Sequence, residues 1–164
     1  MTHRYGVVLG LAALVVALDQ WSKAYIRRTV QLFESIVVIP SFFQITHTRN
    51  SGGAFSIFAG ANDAVRVPFF LGVSLIAIVA LLFFVRSVAP RRWSLLVALG
   101  GILGGAVGNL IDRMLSGHVT DFLDVHWHDY HWPVFNVADS CITVGVLVLL
   151  AHSFFARDAA PENK

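Results

Sequence analysis

Four apolar runs, separated by polar stretches, dominate the chain: positions 5–26, 67–85, 93–111 and 137–156. Each approaches the roughly 20 residues a helix needs to cross a hydrocarbon core of about 30 Å. The second and third contain no Asp, Glu, Lys or Arg, and the fourth is interrupted only by Asp139 near its start and His152 near its end. The first has the outline of a secretory signal peptide, with Arg4 ahead of an apolar stretch. No small-residue cleavage motif follows it, however; it runs into Asp19-Gln20-Trp21-Ser22-Lys23 and reads as an uncleaved span. The pattern predicts a single integral membrane domain over 1–164, an α-helical membrane protein with four transmembrane helices. Two longer segments, 27–66 and 112–136, then share one side of the membrane. In the first, positions 36–39 and 42–48 are β-branched and aromatic, with Pro40 between them, which predicts short strands in a small extracytoplasmic β-sheet on the outer surface. In the second, Val119, Phe122 and Leu123 suggest a loop that dips toward the membrane.

Composition agrees with this pattern. Hydrophobic residues make up 56% of the 164 positions and charged residues 13%, about half the usual 25% or so of a soluble domain. A net charge of +2 is too mild for a nucleic-acid binder. The single cysteine, Cys141, excludes an internal disulfide framework and lies in an apolar run. Positions 1–4, 86–92 and 157–164 hold six of the twelve Lys and Arg (Arg4, Arg86, Arg91, Arg92, Arg157, Lys164) in few residues. The positive-inside rule therefore puts both termini in the cytoplasm. Gly100, Gly104 and Gly108, with Gly101 and Gly105 beside them, form small-xxx-small patterning for close helix packing, within the chain or between chains. Oligomeric state stays open.

Ionisable groups at the rim of a span are costly and point to function. Here they gather at three helix ends on the outer side. Asp19 and Lys23 are four apart and share a face, as an ion pair would require. Asn109, Asp112 and Arg113 share another. Asn136 and Asp139 are three apart, where Asn136 suits an N-cap and Asp139 the first helical turn. The loop between the last two ends adds Asp121 and Asp124. Two carboxylates held together share a proton and separate their apparent pKa values. One then takes a proton from water while the other polarises a carbonyl oxygen, which is amide hydrolysis with no covalent intermediate. Asp121 and Asp139 are the best-placed pair, although spacing alone does not separate Asp121 from Asp124. Ser140 and Cys141 lack a local nucleophile signature. In the run His126-Trp127-His128-Asp129-Tyr130-His131-Trp132, the three histidines offer metal ligands, but the aromatics suit an interfacial belt and that reading is preferred.

Five blocks carry a resemblance: Asp19-Gln20-Trp21-Ser22-Lys23, Asn50-Ser51-Gly52-Gly53-Ala54-Phe55, Gly108-Asn109-Leu110-Ile111-Asp112-Arg113, Val119-Thr120-Asp121-Phe122 and Phe135-Asn136-Val137-Ala138-Asp139-Ser140. Their order, on a four-span chain of this length, resembles the lipoprotein signal peptidases (signal peptidase II), bacterial inner-membrane aspartic proteases. The resemblance implies that Asp121 and Asp139 are catalytic. It implies that Asp19, Lys23, Asn50, Gly52, Asn109, Asp112, Arg113 and Asn136 support the site or contact substrate. It further implies substrates that are diacylglyceryl-modified prolipoproteins, cut before the lipidated cysteine on the periplasmic side, an outer sheet over 36–58, and no cofactor or metal. Membrane lipids are the other expected partners. Gly53 and Thr120 depart from the family's frequent Ala and Val. The rival class is a small four-span ion or proton transporter, which would need polar groups through the depth of several spans. The polarity instead clusters at one rim.

Overall fold

A computed structural model describes residues 2–52 and 62–157. In chain order its elements are α1 (Thr2–Thr29), β1 (Ser35–Ile39), β2 (Phe43–Asn50), α2 (Asp63–Val85), α3 (Trp93–Ser116), β3 (Val119–Trp127), β4 (Tyr130–His131) and α4 (Val137–Arg157). All four helices are long and apolar enough to cross a membrane. All four run past their apolar runs, α4 by a single residue. α3 continues beyond position 111 to Ser116, so Asp112 and Arg113 lie inside the helix, and it stops at Gly117, whose φ of 74° is the left-handed conformation of a helix C-cap.

The strands form one antiparallel sheet in the order β1-β2-β3-β4 at one end of the helices. β1 and β2 match the two predicted strands closely. The membrane-dipping loop is a correction: positions 119–127 are strand β3, paired along β2 from Asn50↔Val119 to Phe43↔Val125. Its first four residues are all buried, so the clean alternation that marks a half-exposed strand is missing. The expected sheet over 36–58 extends in part onto 53–61, which lie outside the described residues.

α3 is the hub. α1, α2 and α4 all pack on it. The glycine stripe explains how: a Cβ on Gly104 would lie 2.7 Å from Val15 Cβ and 2.8 Å from the Ala12 carbonyl, both on α1. Gly105 meets α4 just as closely, against the Ala138 carbonyl, and Gly145 of α4 returns the contact against Ala98 and Ile102. The small residues therefore serve packing inside the chain. Val8, Ala12, Leu96, Leu99 and Leu103 complete this interior. At the far end from the sheet, Arg4 donates to the Arg86 carbonyl (2.6 Å) and the Val88 carbonyl (3.0 Å), fastening α1 to the α2–α3 turn. The outward faces carry exposed Leu14, Leu75, Ile76, Val144 and Phe154, as contact with lipid requires.

Candidate active site

At the start of α4, Asn136 and Asp139 cap one another. Asp139 N–H donates to Asn136 Oδ1 (2.9 Å), and Asn136 N–H donates to Asp139 Oδ2 (3.3 Å), a reciprocal cap that satisfies orphan helix donors. Both groups also do more. The Asn136 amide donates to Asp121 Oδ1 at 2.6 Å, and the Asn109 amide donates to Asp139 Oδ1 at 2.7 Å. Asn136 is thus a bridge, holding Asp121 on β3 through its Nδ2 and Asp139 on α4 through its Oδ1. Asp121 is 1% exposed. Its pKa rises from 3.8 to about 7, first because burial disfavours the anion and then because the Asp139 charge repels it, against the opposing pull of amides from Asn50 and Asn136.

Behind the carboxylates lies a buried ionic cluster. Lys23 Nζ sits 2.8 Å from Asp19, 3.3 Å from Asp112 and 2.8 Å from Asn109 Oδ1, and Lys23 and Asp19 are fully buried. The predicted Asp19–Lys23 pair is therefore present, but inside the bundle rather than at its rim. It can be there because α1 and α3 approach closely at Gly108, where a Cβ would meet Asp19 Oδ2 at 2.5 Å. A buried ion pair adds little net stability, yet removing one partner costs about 3–5 kcal/mol because a charge is left uncompensated. Its contribution here is position. Asp19 Oδ1 accepts from Ala138 N–H (2.9 Å), tying α1 to the first turn of α4. Asp112 Oδ2 accepts from Thr120 N–H (3.0 Å), tying α3 to the residue before Asp121.

All ten expected site residues are brought to this end of the molecule. Asn50 Oδ1 accepts from Gly52 N–H (3.1 Å), and the Arg113 guanidinium reaches the Gly52 carbonyl (3.4 Å) while lying 5.1 Å from the centre of the Phe70 ring. Gly53, Ala54 and Phe55 of the same block lie outside the described residues. Two participants were not singled out from the sequence. Gln20 donates to the Gly108 carbonyl (3.0 Å) and Asp112 Oδ1 (3.2 Å), and Arg27 donates to Thr120 Oγ1 (3.0 Å). Arg27 stands four residues after Lys23, so helical spacing was the available signal. Ser140 Oγ donates to the Asn136 carbonyl (2.9 Å) and is occupied as part of the cap, not poised beside a base.

A cavity of about 650 Å³ opens onto Asp139, Asn109, Arg113 and Asn50, with apolar walls from Pro133, Val134, Phe135, Ile142 and Val144. Its polar groups converge at one end, and its flank on α4 is open to the lipid-facing side, where Val144 is 61% exposed. This arrangement suits an extended peptide with apolar attachments.

Comparison with known proteins agrees with this geometry. The family model described as signal peptidase (SPase) II matches residues 11–155. The chain belongs to the signal peptidase II family. A lipoprotein signal peptidase of Syntrophotalea carbinolica is 49% identical over 147 residues, covering 90% of each chain. That of Geobacter metallireducens is 44% identical over 164 residues, covering all of this chain and 99% of its own. A solved bacterial membrane enzyme superposes with a TM-score of 0.85 at 34% identity, over 97% of this chain and 94% of that one. Signal peptidase II enzymes are aspartic peptidases, and so is this chain.

Proposed function

We propose that Asp121 and Asp139 form the catalytic dyad of a lipoprotein signal peptidase that cuts diacylglyceryl-modified prolipoproteins at the outer rim of the bacterial inner membrane. The observation that carries this reading is the Asn136 bridge: its side-chain amide holds the buried Asp121 carboxyl and its backbone N–H holds the Asp139 carboxyl, which lies at the polar end of an otherwise apolar cavity. Asp121, with its pKa near 7, holds the proton of the pair at neutral pH and hydrogen-bonds the scissile carbonyl oxygen. Asp139 takes a proton from the attacking water. The tetrahedral intermediate collapses as a proton passes to the leaving nitrogen, and both carboxyls return to their starting states. Asn109 orients Asp139, and the Lys23 cluster fixes Asn109. The apolar cavity wall accepts the acyl chains, while the signal helix lies along α4.

The transporter alternative finds no support in the spans. Positions 5–18, 67–85, 93–108 and 140–151 contain no Asp, Glu, Lys or Arg, so no charged path continues inward from the cluster. The test uses purified enzyme with a diacylglyceryl-modified prolipoprotein and its unlipidated counterpart. Asp121→Asn and Asp139→Asn should each lower kcat by 10²–10⁴-fold or more, the order expected for losing an acid–base group, with the fold retained. Full turnover by either variant would overturn the dyad, and equal cleavage of both substrates would overturn the lipid specificity.

A further inference from the structure

On the sheet, away from the carboxylate pair, strand geometry gathers three metal-binding side chains. Asp124 and His126 are two apart on β3 and so project from the same face. His131 on β4 is the direct cross-strand partner of His126, and their rings stack with centroids 4.6 Å apart. One donor atom from each of the three residues lies within 4.8 Å of the others. His131 Nδ1 is 2.9 Å from Asp124 Oδ1, and His126 Nδ1 is 3.9 Å from the same oxygen. The carboxylate is buried and held in place by Gln44 Nε2, which donates to Asp124 Oδ2 at 2.6 Å.

His126 Nδ1 is the decisive atom. The side chain is only 10% exposed, and this nitrogen is buried with no hydrogen-bond partner among the described residues. As a lone pair it faces a carboxylate; as an N–H it stops short of one. Leaving such a group buried and unmatched is costly. A cation among the three donors removes the conflict in one step. Tetrahedral zinc with bonds of about 2.0–2.1 Å has ligand-to-ligand edges of roughly 3.3 Å, between the two separations found here. We propose that Asp124, His126 and His131 bind a divalent transition ion of the zinc class, with water in the fourth position. Two imidazoles and a carboxylate suit zinc over the hard ions magnesium and calcium, and the Gln44 amide orients the carboxylate as outer groups do in metal sites.

The site would brace the cavity. His131 is followed by Trp132, Pro133, Val134 and Phe135, which line it, and Phe135 pairs with Leu123 of β3 through backbone hydrogen bonds of 2.8 and 3.0 Å. An ion joining β3 to β4 closes the other end of this segment. His128, at the turn with φ of 53°, is outside the cluster and serves as the control. The proposal reads two of the run's three histidines as ligands rather than as part of an aromatic belt.

The inference is independent of the peptidase reading. Tag-free full-length protein in detergent is titrated with Zn²⁺ by calorimetry, and with Co²⁺ as a visible-absorption probe. One ion per chain should bind, with the d–d bands of a four-coordinate site. His131→Ala, whose side chain is half exposed and safe to remove, and Asp124→Asn should each weaken binding about tenfold or more, while His128→Ala should match the parent. Absence of saturable binding, or binding that His131→Ala leaves unchanged, would overturn the proposal.

Discussion

The proton on Asp121 links the chemistry of one residue to the pH behaviour of the whole protein. Its pKa is raised in the folded state, from 3.8 to about 7. Between those values the unfolded chain has lost the proton and the folded one retains it, so this group makes stability fall as pH rises from about 4 to about 7, by a few kcal/mol, and level off above. In the proposed dyad the same proton is needed for turnover. We expect the rate to decline about tenfold per pH unit above roughly pH 7, as the dyad loses its only proton. Thermal unfolding followed across pH should show the matching slope, and Asp121→Asn should abolish it. A slope that survives the substitution would mean that another group is responsible.

At the scale of elements, the site depends on how closely helices meet. Gly104 has no room for a methyl group, whereas a Cβ at Gly6 or Gly72 meets nothing within 4 Å. Gly104→Ala should therefore cost about 1–3 kcal/mol of stability and loosen the Asp19–Lys23–Asp112 cluster one turn away, while Gly72→Ala should be neutral or slightly stabilising. Melting temperatures in one detergent would separate the two cases; equal effects would mean that the α1–α3 approach is not tight. This dependence also explains what could be read without coordinates. The spans were legible because 20 apolar residues in sequence are a local signal, and the Asp19–Lys23 and Asn136–Asp139 pairs because helical spacing is local too. β3 was not, because burial at every position from Val119 to Phe122 and two acidic residues hide a strand's alternation. Nor was the entry of Asp112 into the Lys23 cluster, which requires α1 and α3 to touch at Gly108. Likewise, His126 and His131 meet only through hairpin register, set by a turn at His128 that spacing does not reveal. The choice of Asp121 over Asp124 came from the family motif; the structure gives the two different neighbours, Asn136 for one and His131 for the other.

Across the whole molecule, charge is sorted between the two ends. Eight of the ten acidic residues fall at the sheet-bearing end, and only Asp158 and Glu162 follow α4. Exposed Trp21, Tyr25, Trp127, Tyr130 and Trp132 gather at that end too, with Trp93 at the other, as membrane interfaces favour. The exposed apolar face of β1, Ile36 to Ile39, would invite edge-to-edge aggregation in water and is suited to a sheet lying on lipid. If both termini are cytoplasmic, a membrane-impermeant maleimide should label Asp129→Cys in sealed spheroplasts, in a Cys141→Ser background. Arg91→Cys should react only after permeabilisation, and the reverse pattern would invert the topology.

The pairing of β2 with β3 also sets an order of events during biosynthesis. Thr48 bonds to Asp121, a residue 73 positions later, and the proposed dyad is completed only by Asp139 at the head of the last helix. A ribosome adding about 5–20 residues per second must therefore deliver α2 and α3 to the membrane before the sheet can close. The nascent chain holds one carboxyl without its mate until α4 is inserted. On the proposed dyad, proteolytic competence arrives last, after every other span is in place, and a product truncated before α4 should be inert.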